Sequence, residues 1–219
     1  QQYNIAQRGV ATADELKRYQ IAEGLGDVLM LQGKYDSAAQ VLEAAAFLAR
    51  ERIQKAEIEG RLGELAFKKG DMKTAGECLE RALRLLGQRV PRGMFSMVSR
   101  LICEALVQSL HSMLPRLFLH RRDLAHAEAE LIKIRLFRRL SYAYWFRQGT
   151  LPALWAHLRG MNMAERFPPT LELAYAYANH GPAMSAIPWF ARGHKYAEKS
   201  LQIREEFGDT WGRAHSLSF

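Results

Sequence analysis

The 219-residue chain carries a formal net charge of +8, with 48% apolar and 25% charged residues, a balance that excludes a disordered polyion and allows a sizeable core. No apolar run approaches the roughly 20 residues of a membrane-spanning helix, and no charged-then-apolar leader opens the chain. The two cysteines, Cys78 and Cys103, form no spaced framework and read as small core residues in a reducing, cytoplasmic compartment.

In chain order, Thr12-Ala13-Asp14-Glu15 fits a capping box that opens the first helix. Leu16, Tyr19, Ala22, Leu25, Gly26 and Leu29 then follow one stripe at helical period. Gly33 ends that helix, and Tyr35 starts a partner whose stripe is Ala38, Val41, Leu42, Ala45 and Leu48. The next helix begins near Arg52 on register alone, carries Ile58, Leu62, Gly63, Leu65 and Ala66, and ends at Gly70. Asp71 caps the following helix, which carries Ala75, Leu79, Ala82 and Leu86; Gly87, Pro91 and Gly93 close it. The two hairpins match at a spacing of 37 residues: Leu25, Gly26, Gly33, Tyr35, Ala38, Leu42 and Ala45 recur as Leu62, Gly63, Gly70, Met72, Ala75, Leu79 and Ala82.

Met94 to Leu114 predicts one long helix with Leu101, Ala105, Leu106, Leu110 and Leu114 as its apolar stripe, ended by Pro115. The basic stretch 115–123 predicts an irregular connection, with no proper second helix for this unit. Helices follow over Leu124–Phe146 and, after Gly149 and Pro152, over Ala153–Phe167. Pro168-Pro169 breaks the chain. A helix from Thr170 to His180, a turn at Gly181-Pro182 and a helix through Glu206 complete the last hairpin, and residues from Gly208 open another helix. Gln1 in place of an initiator Met, and an ending partway through a hairpin, predict a fragment of a longer polypeptide.

A period of this length signals stacked helical units. The residues and spacing resemble the tetratricopeptide repeat over 19–86 and 128–206, while 94–127 departs from it. Gly24 stands near a position that is often aromatic, and Met72 replaces the usual tyrosine. The resemblance implies an all-α, right-handed superhelical solenoid of antiparallel helical hairpins, with Gly26, Gly33, Tyr35, Ala38, Ala45, Gly63, Gly70, Ala75 and Ala82 as its repeat-defining residues. About five hairpins, one incomplete, are expected. Residues 1–93 form the N-terminal hairpins with a lead-in, 94–127 a degenerate unit, and 128–219 the C-terminal hairpins, all in one continuous solenoid. The combination LPRLFLHRRD, LSYAYWFRQG, LWAHLRGMNMAERFPP and IPWFARGHKYAEKSLQIREEFGD is similar to the helical-repeat region of large bacterial multidomain signalling ATPases. That similarity implies a regulatory module whose ATPase and output domains lie elsewhere in the chain.

The sequence offers no constellation for chemistry. It has no phosphate loop of the GxxxxGK[ST] type, no HExxH, no CxxC and no GxSxG. Gly24-Leu25-Gly26 sits in mid-helix without a preceding strand. His120 and His126 have no cysteine or carboxylate cluster to join them, and Asp123, Glu128 and Glu130 suit a solvated helix start. No catalytic residue, cofactor or metal is therefore expected; enzyme activity needs a buried polar cluster, and no pattern points to one.

Binding is the remaining class. From Arg116 to Arg147 the chain carries eight Lys/Arg against three acids, interleaved with Phe118, Phe137, Tyr142, Tyr144, Trp145 and Phe146. Arg121, Arg122, Arg135, Arg138, Arg139 and Arg147 are the candidate partner-binding residues. Three readings fit them: arginines solvating one face of a helix whose aromatics are core, Arg forks that hold an acidic protein segment or neighbouring domain, or a nucleic-acid surface. A second aromatic group, Trp155, Phe167, Tyr175, Tyr177, Trp189, Phe190 and Tyr196, is expected mostly in inter-helix packing, with one or two lining a groove. The expectation is a non-catalytic module for protein–protein or interdomain contact, with a nucleic-acid-binding arm over 116–147 as the alternative.

Overall fold

The computed structural model describes residues 15–185 and 187–217, and every regular element among them is helical. The expected cap at Thr12 lies outside the described residues. Contacts divide the chain into two compact units, Gln1–Val90 and Pro91–Phe219. Among the described residues, no helix is long and apolar enough to cross a membrane.

The first unit holds α1 (Glu15–Leu31), α2 (Tyr35–Leu48), α3 (Arg52–Lys68) and α4 (Met72–Leu85), with α1 packed on α2 and α3 on α4. Both turns have the same build. Gly33 and Gly70 adopt φ of +73° and +82°, the left-handed region where glycine carries no Cβ penalty. The amide of Lys34 donates to the Leu29 carbonyl and that of Asp71 to the Ala66 carbonyl, each at 2.9 Å, closing both helix ends in the same six-to-one pattern. A Cβ at Gly26 would stand 2.6 Å from Leu42 Cδ2, and one at Gly63 would stand 2.8 Å from Leu79 Cγ and 3.2 Å from the Ala75 carbonyl oxygen. The two small residues therefore set how closely each helix pair approaches. Ala38, Leu42, Ala45, Ala75, Leu79 and Ala82 are fully or almost fully buried. Asp71 caps α4 through Thr74 N–H. The start of α3 has its own signal, because Gln54 Oε1 accepts from the amides of Arg50 and Glu51.

The second unit holds α5 (Met94–Met113), the single turn α6 (Pro115–Phe118), α7 (Glu128–Arg147), α8 (Thr150–Ala164), α9 (Leu171–Ser185), α10 (Phe190–Glu206) and α11 (Thr210–Ser216). α8 lies at its centre, touching α5, α7 and α9, and it is buried at almost every position from Ala153 to Ala164. The connection after α6 is irregular, and the His120 and Arg122 amides pin it to the carbonyls of Glu165 and Arg166. It also delays the next helix: α7 starts at Glu128 rather than Leu124, because a turn bonds Ala127 N–H to Leu124 O and His126 takes φ of +62°. α8 begins three residues earlier than expected and ends at Ala164, since Pro152 is tolerated in a first turn that needs no amide there.

Three further expectations are corrected. The Gly181-Pro182 pair is no turn; α9 runs through it to Ser185. Gly181 has no Cβ to clash with the proline ring that follows it, and a Cβ at Gly193 of α10 would stand 3.2 Å from Gly181 Cα, so these glycines mark a close helix crossing. In α5 the expected stripe faces outward: Ala105, Leu106, Leu110 and Leu114 are exposed, while Met97, Glu104, Gln108 and His111 are buried. Cys78 is buried as expected, but Cys103, on that same helix, is exposed.

Candidate functional site

The candidate arginines do not act as one set of solvated cations. Arg135 pairs with Glu172 at 3.1 Å, and the Arg138 guanidinium lies over the Tyr175 ring at 4.4 Å. Both are half-buried, as is Arg139. Arg121, on the connection, donates to its own backbone at Leu117 O and Arg116 O. Arg122 is exposed near Arg166; burial, reinforced by the charges of Arg122 and Arg159, holds the Arg166 guanidinium below its ordinary range. Arg147 is exposed in the last turn of α7. The interleaved aromatics divide too: Phe137 and Tyr144 are core, whereas Tyr142, Trp145 and Phe146 are exposed. In the second group Trp155, Phe167, Tyr177 and Tyr196 are buried, and Trp189 and Phe190 are exposed.

The structure also contains the feature that the sequence did not announce, a buried polar cluster along the inner face of α5. Glu104 accepts from Arg159 at 3.1 Å and from Asn162 Nδ2 at 2.9 Å. Glu165, 1% exposed, closes α8 and accepts from three directions. His111 Nδ1 donates to Oε2 at 2.7 Å, and Tyr177 OH and Gln108 Nε2 donate to Oε1 at 3.2 and 3.4 Å. Gln108 Nε2 also donates to Tyr196 OH at 3.0 Å. Burial, then the nearby Glu165 charge, raises the Tyr177 hydroxyl far above the usual phenol range. Both Glu165 oxygens are engaged by protein donors, so the arrangement ties α5, α9 and α10 to the end of α8. The legible signal was the spacing of Glu104, Gln108 and His111, which places three polar residues on the face of α5 opposite its apolar stripe.

Next to this cluster runs a histidine chain. Arg192 Nε–H donates to His180 Nε2 at 3.2 Å, and His180 Nδ1 lies 3.0 Å from His157 Nε2. Burial lowers the His157 pKa to about 4. Burial, with the charges of Arg192 and Lys199 and the neighbouring His157, lowers His180 still further. Both rings are therefore neutral at pH 7. His157 also lines a cavity of about 210 Å³ between α7, α8 and α9, whose wall includes Tyr142, Trp145, Phe146, Leu154, Asn179 and Ala183. A smaller recess shares His157 and Asn179 and adds Arg135, Arg138 and Glu172. Among the described residues, no group of three or more His, Cys, Asp or Glu is placed to hold a metal ion.

No family model matches the chain, and no curated protein sequence matches it. The crystal structure of BtubC (BKLC) from P. vanneervenii aligns with 94% of this chain and 88% of its own, at 15% identity and a TM-score of 0.39. A likeness that low carries no argument about fold or function.

Proposed function

We propose that this chain is a non-catalytic interaction module, a tetratricopeptide-like array of helical hairpins that binds a protein segment or neighbouring domain. The array reading is supported by the first unit, where the same glycine turn and the same Gly–Leu contact occur twice at one spacing. We extend that reading to a continuous solenoid within a larger cytoplasmic signalling ATPase, on the sequence resemblance alone.

The observation that carries the binding reading is α5. Phe95, Ile102, Leu106, Leu110 and Met113 recur on one stripe of this helix and are all exposed, Leu106 by 61% and Met113 by 77%. Contiguous uncovered apolar surface of this kind marks an interaction site in a folded protein, and a stripe at helical spacing suits an apolar helix or segment as partner. The basic segment gives weaker support to nucleic acid, since Arg135 and Lys133 are already paired with Glu172 and Glu130.

The test is affinity capture with wild type and with Leu106→Lys/Leu110→Lys, each with and without nuclease. A nuclease-resistant protein partner lost in the double variant is the expected result. Because both side chains are exposed, the variant's stability should stay within about 0.5 kcal/mol of wild type. Capture that disappears with nuclease, or persists undiminished in the variant, overturns the proposal.

A further inference from the structure

The histidine chain fixes the positions of its own protons. An arginine Nε–H only donates, so His180 Nε2 must accept from Arg192. The single proton of neutral His180 then sits on Nδ1 and is donated to His157 Nε2. That leaves His157 with its proton on Nδ1, a donor that has no hydrogen-bond partner among the described residues. His157 lines the cavity between α7, α8 and α9. Asn179, on the same wall, accepts from Tyr142 OH through Oδ1 at 2.7 Å, so its Nδ2 amide is the end left to donate. Arg138 lines the adjoining recess with His157 and Asn179 and pairs with no carboxylate among the described residues. The rest of the main cavity is Tyr142, Ser141, whose hydroxyl donates to the Arg138 carbonyl, and the apolar Trp145, Phe146, Ala153, Leu154, Pro182 and Ala183.

An apolar chamber whose polar end offers two N–H donors beside an arginine, with the Glu172 carboxylate of the recess already paired with Arg135, selects its ligand by chemistry. We propose that this cavity binds a small organic acid, with one apolar ring or short apolar chain packed on Trp145, Phe146 and Leu154. Its carboxylate lies against His157 Nδ1–H, Asn179 Nδ2–H and Arg138. The size is adequate: a dry cavity of about 150 Å³ takes up benzene, and this one measures about 210 Å³. A cation is disfavoured there, because Asn179 Oδ1 and His157 Nε2 are already occupied and the Glu172 carboxylate of the recess is paired with Arg135. Arg192 acts at a distance, setting which histidine nitrogen faces the ligand. The site is independent of the α5 face, and neither proposal rests on the other.

The experiment is titration of the 219-residue chain with 4-phenylbutyrate and with 4-phenylbutylamine, read by tryptophan emission and by ligand-detected NMR. The acid should bind and perturb Trp145, and the amine should not. Asn179→Asp, at a half-buried position, exchanges a donor for a carboxylate and should weaken the acid by about ten- to hundredfold, the range for a lost charge-assisted hydrogen bond. Ala183→Phe fills the chamber and should abolish binding. His157→Phe should weaken the acid likewise, and if that variant fails to fold the Asn179 and Ala183 variants decide. Equal binding of amine and acid, no binding of either, or acid binding unchanged in Ala183→Phe overturns the proposal.

Discussion

Glu165 joins three helices through one side chain, so its removal has a magnitude that can be worked out. In Glu165→Leu, the volume stays similar while His111 Nδ1–H, Tyr177 OH and Gln108 Nε2–H lose an acceptor in a site 1% exposed. Each stranded buried donor costs about 1–3 kcal/mol. The 3.4 Å Gln108 contact is the weakest of the three, and Gln108 keeps its bond to Tyr196. The total falls at about 3–5 kcal/mol, the usual cost of removing one partner of a buried charged set. Glu165→Gln retains the shape and one acceptor oxygen, and the Tyr177 hydroxyl can rotate to accept, so about 1–2 kcal/mol is expected. Urea unfolding followed by tryptophan emission is the assay. Trp145, Trp155, Trp189 and Trp211, the chain's four tryptophans, all lie in Pro91–Phe219, so the signal belongs to the second unit. With a urea slope of about 2 kcal/mol per molar, the leucine variant should lower the midpoint by about 2 M. A midpoint within about 0.5 M of wild type would refute the reasoning.

Gly63→Ala should destabilise the first unit by up to about 2 kcal/mol: overpacking against Leu79 and the Ala75 carbonyl exceeds the helix-propensity gain of about 1 kcal/mol. Thermal unfolding by circular dichroism checks this, and a stabilised variant contradicts the close approach. Acid should weaken the second unit through His157. Its folded pKa of about 4 lies below the ordinary 6.5, so the unfolded chain binds the proton first and stability falls as pH drops from 6.5 towards 4. The slope is about 1.4 kcal/mol per pH unit for this ring. Urea midpoints across that window should steepen in wild type relative to His157→Phe, and parallel profiles would contradict the neutral buried ring.

Local features were legible because their causes are local. Gly33 and Gly70 end helices through conformations that only neighbouring residues set, and Asp71 caps the helix beside it. The small residues of the first unit were legible for the same reason, each contact closing within one hairpin. Failures arose where the partner is distant in sequence. Helical period alone divides α5 into an apolar and a polar face, and burial of the apolar one was the natural expectation. Glu104, Gln108 and His111 are buried instead because Arg159, Asn162 and Glu165 meet them across more than fifty residues of chain. In the sequence, Gly181-Pro182 signals a turn, because that pair usually punctuates a chain. What decides its helical state is Gly193, on a different helix, which needs the close approach. The cavity followed neither rule, since its wall draws on three helices and its donors are set by a proton chain beginning at Arg192.

The most direct test of the interaction reading is photo-crosslinking in living cells, with a benzophenone amino acid placed at Leu106 on the exposed stripe of α5 and, as a control, at the exposed Lys73 of α4. A discrete protein adduct at position 106 and none at 73 is the predicted result. No adduct at 106, or an adduct there that is nucleic acid rather than protein, would contradict the account.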